Sequence, residues 1–135
     1  MASPNPFAGT WTLDSWTSLK NGEPVGYPMG EDARGQIIYG DRTMSAFLMR
    51  ADFPESSGEI TPDTFLSYAG NWSIADGRIT HLVEFATLPH WVGRSLIRHV
   101  DRDGEEMTLR TEPERSKSGS VYQHVLLWRR VGSLG

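Results

Sequence analysis

Between residues 68 and 100, three runs of strand-forming residues are separated by nothing but turn signals. Few folds other than a β-meander are open to such a stretch. The runs are residues 68–74, 78–86 and 92–100, divided by Ala75-Asp76-Gly77 and by the corner Leu88-Pro89-His90-Trp91. Asp-Gly between two such runs predicts a tight hairpin, because glycine accepts a positive φ at no steric cost. In the middle run Ile79, His81, Val83 and Phe85 alternate with Thr80, Leu82, Glu84 and Ala86. Successive strand side chains point to opposite faces, so His81 falls in line with apolar neighbours. A titratable ring on a greasy face is the first functional clue.

Register extends the clue. If Leu88 to Trp91 forms the whole hairpin loop, His81 lies opposite Arg98, Val83 opposite Leu96 and Phe85 opposite Arg94. Directly opposed residues share a face. A loop one residue longer or shorter, or a bulge, brings His99 beside His81 instead.

The remaining chain reads the same way. Residues 1–8 carry two prolines and read as a flexible lead-in. Residues 9–19 alternate Trp11, Leu13, Ser15 and Thr17 against Thr10, Thr12, Asp14 and Trp16, a strand rich in Thr and Trp. Residues 20–35 hold Pro24, Pro28 and recurrent glycines, which forbid a long helix and predict a loop able to cover one end of the fold. Residues 35–39 and 44–50 are short strands around the turn 40–43. Thr61-Pro62-Asp63 has the form of a helix start and predicts one or two helical turns ending near Tyr68. Residues 101–104 turn, 106–111 form a strand, 112–119 are polar, and 120–131 make the last strand.

The expectation is therefore all-β: eight strands joined mostly by short turns, with one short helix. A meander of that size must close or leave its edges exposed. An eight-stranded antiparallel up-and-down barrel removes the edges and has room inside for one small ligand. The domain spans residues 9–131, with 1–8 as the lead-in.

Composition narrows the function. A chain of 135 residues forms one domain with a real core. A net charge of −4 with no basic stripe argues against nucleic acid as a partner. The absence of cysteine excludes disulfides and thiolate chemistry and points to a cytoplasmic setting. No signal-peptide pattern and no apolar run of membrane-spanning length is present, so no membrane association is expected. These features carry no information on oligomeric state.

Gly9-Thr10-Trp11 near the start of the first strand is a Gly-x-Trp signature, and Leu126-Leu127-Trp128-Arg129-Arg130 closes the last. Between them, in order, stand Gly35-Gln36-Ile37-Ile38-Tyr39, Met44-Ser45-Ala46, Tyr68-Ala69-Gly70-Asn71-Trp72, Thr80-His81-Leu82-Val83-Glu84 and Gly93-Arg94-Ser95-Leu96-Ile97-Arg98. This ordered set resembles the lipocalin-like domain family, small cytosolic bacterial and fungal relatives of the lipocalins. The resemblance implies a calycin-type barrel in which the signature tryptophan packs under an arginine of the final strand. Here that pair is Trp11 with Arg129 or Arg130. A helix pair after the first strand, as in fatty-acid-binding proteins, is incompatible with the proline-rich segment 20–35.

The candidate chemistry centres on His81 and Arg98. Arg98 is suited to anchor a carboxylate or enolate oxygen. His81 is suited to donate a hydrogen bond or act as a general base near neutral pH. Tyr39, Tyr68, Trp72 and Trp91 are expected to line the same pocket, each with an apolar body and a polar tip. The leading expectation is binding of a small, largely apolar organic molecule inside the barrel. The alternative is a cofactor-free cyclase, isomerase or hydratase acting on a polyketide- or terpenoid-like substrate, with His81 and Arg98 catalytic. A third reading is haem held by one histidine, His124. No metal-ligand spacing, phosphate loop or dinucleotide fingerprint appears, so no metal and no cofactor is expected.

Overall fold

A computed structural model describes residues 6–55 and 59–132. Its strands are β1 (Gly9–Lys20), β2 (Glu23–Gly26), β3 (Arg34–Tyr39), β4 (Thr43–Met49), β5 (Phe65–Ala75), β6 (Arg78–Ala86), β7 (Ser95–Asp103), β8 (Glu106–Thr111), β9 (Glu114–Arg115) and β10 (Val121–Gly132). They pair antiparallel in the order β2-β1-β3-β4-β5-β6-β7-β8-β10-β9, and β1 also pairs with β10. That last pairing closes an eight-stranded up-and-down barrel, with β2 and β9 as short outliers on its rim. No helix among the described residues is long and apolar enough to cross a membrane.

Closure gives the barrel two ends. The tight turns 40–42, 76–77 and 104–105 and the chain from Pro6 to Ala8 gather at one, the floor. The longer connections 21–33, 50–64, 87–94 and 112–120 gather at the other, the mouth. The Asp76-Gly77 hairpin forms as expected, both residues taking positive φ (53° and 72°). The core fills the floor half with Trp11, Tyr39, Ile79 and Met107, all essentially inaccessible.

The floor holds the pair that the resemblance implied, and it resolves the choice of arginine. The Arg130 guanidinium lies 4.5 Å from the Trp11 ring centre, and Arg102 lies at 5.9 Å. Arg129 points outward to Asp14 at 3.3 Å. Arg130 also donates to the carbonyls of Ala8 (2.9 Å) and Pro6, and the Trp11 indole N–H donates to Phe7 O at 3.0 Å. Residues 6–8 of the expected lead-in are thus bonded to the barrel floor. Residues 1–5 lie outside the described residues.

Four local expectations are corrected. First, the helix predicted from Thr61 is a single hydrogen-bonded turn, Phe65 N–H to Thr61 O at 3.0 Å, after which β5 begins. The Thr64 hydroxyl accepts from the Thr61 N–H and donates back within the turn, competing with a helical ladder. The helical residues that do occur are isolated 3-10 turns at Phe53–Glu55 and Pro89–Trp91. Second, segment 20–35 is not wholly loop: β2 folds back on β1, and Met29 beyond it is buried in the core.

Third, Phe85 does not share the inward face of His81. Ala69 pairs with Phe85 and Gly70 with Val83, so Glu84 is an extra residue in β6. This β-bulge reverses the alternation: Phe85 turns out to solvent, 69 % exposed, and Ala86 packs inward. Gly70 is required there, because a Cβ at that position would lie 1.9 Å from Leu82 O. A second bulge at Asp14, between Leu13 and Ser15, likewise reverses β1 and carries Trp16 to the inside.

Fourth, the β6–β7 register differs by two residues from that of a loop confined to Leu88–Trp91. His81 pairs with Leu96, and Arg98 with Ile79. Val83 is held by Gly93 N–H and Arg94 O (2.8 and 2.9 Å), not by Leu96. A shift of two preserves faces, so Arg98 stays on the side of His81 as a diagonal neighbour. His99 instead faces away and pairs with Glu112 at 3.1 Å.

Candidate functional site

The mouth half of the barrel encloses a cavity of about 660 Å³. Its deep wall is apolar, built from Ile37, Ala46, Leu48, Leu66, Leu109 and Leu126 on five different strands. Each lies at an inward position of its strand, which is why alternation alone generates such a wall. Trp91, on the 3-10 turn closing the β6–β7 connection, stands over Tyr68 edge-on, with ring centres 5.4 Å apart. Asp63, Glu112 and Glu114 sit at the rim with His90 and Arg94.

Three of the six expected ligand-binding residues line this cavity: Tyr68, Trp91 and Arg98. Tyr39, Trp72 and His81 do not. They form the layer beneath it, between cavity and floor. His81 has no accessible surface, and its ring is clamped on both sides. Nε2 lies 2.7 Å from the Tyr39 hydroxyl and Nδ1 lies 2.8 Å from the Tyr68 hydroxyl. Trp72 backs Tyr39 at 4.6 Å and donates its indole N–H to Gly40 O at 3.0 Å.

Burial governs the electrostatics of this layer. Desolvation, aided by the positive charge of Arg98, lowers the His81 pKa to about 3, so the ring is neutral at physiological pH. Burial raises both tyrosines above the ordinary phenol range. The adjacent Arg98, by charge and hydrogen bonding, draws Tyr68 partly back. Arg98 itself is half-buried. Its guanidinium donates to Ile97 O at 3.3 Å, and among the described residues it has no ion-pair partner. A cation facing an apolar cavity without a carboxylate is available to a ligand.

A second polar pair faces the cavity from the β1–β10 seam. The Trp16 indole N–H donates to His124 Nδ1 at 3.0 Å. Indole nitrogen is a donor only, so neutral His124 must carry its own proton on Nε2. Burial and Arg98 both lower its pKa, keeping it neutral. A haem iron would need the Nε2 lone pair, which that proton occupies, so the arrangement does not fit a haem ligand. No cluster of three or more metal-ligating side chains exists among the described residues. Trp128, also on the cavity wall, has a buried indole N–H with no partner.

Sequence reasoning missed the contribution of Trp16, because strict alternation put it on the face opposite Trp11 and Leu13, and the bulge at Asp14 inverts that order. It also missed the two-tyrosine clamp. Nothing local in the sequence signals that clamp, since Tyr39, Tyr68 and His81 come from three strands.

Residues 8–131 match the family model for the lipocalin-like domain. A relative from Aspergillus oryzae, described as a 4'-hydroxy-3'-methoxypropiophenone carrier protein, is 26 % identical over 110 residues, covering 67 % of this chain and 99 % of the relative. No solved structure was found to match. The chain belongs to the lipocalin-like domain family.

Proposed function

We propose that this lipocalin-like barrel binds, and thereby carries, a small and largely apolar organic molecule in its mouth-side cavity, with Arg98 and Tyr68 gripping the polar end. The observation that carries the reading is the half-buried Arg98, facing an apolar-walled cavity with no carboxylate to neutralise it. A cavity near 660 Å³ suits a ligand of one or two rings. The Aspergillus relative supports the same class, since the molecule in its description is an aryl ketone with a greasy body and a few oxygens.

Binding is favoured over catalysis by His81. A general base must come within hydrogen-bond reach of substrate. His81 lies behind Tyr68, has both ring nitrogens engaged, and is too weakly basic to take a proton near neutral pH. Titration of tryptophan fluorescence with 4'-hydroxy-3'-methoxypropiophenone tests the proposal. Saturable quenching in the wild type, weakened about tenfold in Arg98→Gln, is expected. Absence of saturable binding by this and other aryl ketones would refute it.

A further inference from the structure

The two tyrosines and the histidine between them form one chain of hydrogen bonds, and its direction can be deduced. Tyr39 has no accessible surface, and among the described residues its hydroxyl meets only His81 Nε2. Buried O–H groups are almost always satisfied. The Tyr39 proton therefore points to Nε2, and Nε2 accepts. Neutral imidazole carries one proton, which must then sit on Nδ1 and be donated to the Tyr68 oxygen. Arg98, which can only donate, also faces that oxygen. With its oxygen already accepting, Tyr68 has its own proton left over, and Tyr68 is on the cavity wall.

The reverse direction would send the Tyr68 proton to Nδ1 and an Nε2 proton to the Tyr39 oxygen. The Tyr39 O–H would then be buried with no acceptor among the described residues. The same logic fixes the neighbouring groups. His124 keeps its proton on Nε2 because Trp16 occupies Nδ1, and Trp128 has an unused N–H. The carboxylates of the site, Asp63, Glu112 and Glu114, stand at the exposed rim.

We infer that the Tyr39–His81–Tyr68 chain is polarised toward the cavity. The inner wall then offers hydrogen-bond donors, from Tyr68, Arg98, His124 and Trp128, and selects a ligand whose buried polar end is an oxygen without a proton, a carbonyl or a phenolate. This rests on the binding reading above and sharpens it. Tyr39 and His81 are positioning residues: neither touches ligand, yet together they set which way the Tyr68 proton points.

The test uses the intact chain and three probes of similar size. Propiophenone offers an acceptor, propylbenzene offers none, and 1-phenylpropan-1-amine, protonated at neutral pH, offers donors only. Propiophenone is expected to bind about tenfold more tightly than propylbenzene, and the amine most weakly. In Tyr68→Phe the ketone loses that advantage while propylbenzene binding holds. Independently, ¹⁵N-edited NMR of the free protein should find His81 protonated on Nδ1. Tyr39→Phe, which removes the proton that holds Nε2 as an acceptor, should weaken the preference for the Nδ1–H form and with it reduce ketone preference. A wild-type His81 protonated on Nε2, or a ketone bound no better than propylbenzene, would overturn the inference. If no probe binds while the Nδ1–H form is seen, the binding reading fails and the direction of the chain stands.

Discussion

Two arginines occupy the interior of this barrel, one at each end, and the fold treats them oppositely. Arg130 at the floor is partnered within the chain, although among the described residues its buried Nε has no hydrogen-bond acceptor. It stacks over Trp11 at 4.5 Å, bonds the carbonyls of Pro6 and Ala8, and has Glu105 at 3.9 Å, an ionic contact too long for a hydrogen bond. Arg98 near the mouth has one neighbouring carbonyl and a tyrosine hydroxyl, and otherwise faces open cavity. A charge taken from water must find partners in the protein or in a ligand. The floor supplies them within the chain; the mouth leaves them to be supplied from outside. The same residue type is thus held by the chain in one place and, in the proposed reading, left to a ligand in the other.

The contrast is most directly broken at Arg130. Arg130→Ala removes the stack and the carbonyl bonds together, and we expect a loss of about 2–4 kcal/mol in chemical denaturation, with ligand affinity changed little in the surviving folded fraction. A smaller loss than that of Arg98→Ala would invert the comparison.

Acid probes the layer between the two. His81 titrates near 3 when folded and near 6.5 when unfolded. Between those values the unfolded chain holds the extra proton, so stability is full above about pH 6.5 and declines as pH falls toward 3. The expected decline is about 1–2 kcal/mol by pH 5, with His124 adding in the same direction. Denaturation midpoints measured across that range should show a slope that flattens in His81→Gln.

At the mouth, Arg98→Gln should cost a bound aryl ketone about 1.4 kcal/mol by calorimetry while leaving the unfolding midpoint unchanged or slightly raised, because the charge it removes has no ion-pair partner among the described residues. The smallest effect belongs to Arg129, adjacent to Arg130 in sequence but outside the barrel on Asp14. Its side chain is 63 % exposed, and Arg129→Ala should change stability by less than about 1 kcal/mol. An effect equal to that of Arg130→Ala would mean that the outer pair, not the stacked one, secures the floor.

How far the sequence alone reached follows from the same physics. Alternation and turn chemistry exposed the eight barrel strands, the closure and the inward setting of His81, because each is a local pattern repeated many times. Both reversals of that pattern escaped it. A bulge is one extra residue, and neither Asp14 nor Glu84 differs from an ordinary strand residue in composition. The consequence was large in each case, moving Trp16 in and Phe85 out. The His81–Arg98 proximity survived a register shift because the shift was an even number of residues. The clamp on His81 depended on three strands meeting, which no window of sequence contains. Tyr39 and Trp72 were legible as inward aromatics, but whether an inward residue faces a cavity or a packed layer is decided by its height along the barrel.

The seam between β1 and β10 carries a further consequence, for the route by which the barrel assembles. Trp11 pairs with Arg130, so the cylinder closes only after almost the entire chain has been made. Until then the first and last strands each present an unpaired edge, and contacts so distant in sequence form slowly. Assembly should therefore be gated by this final mating, with the local 68–100 meander formed early and the zipping of the last strand onto the first as the kinetic bottleneck.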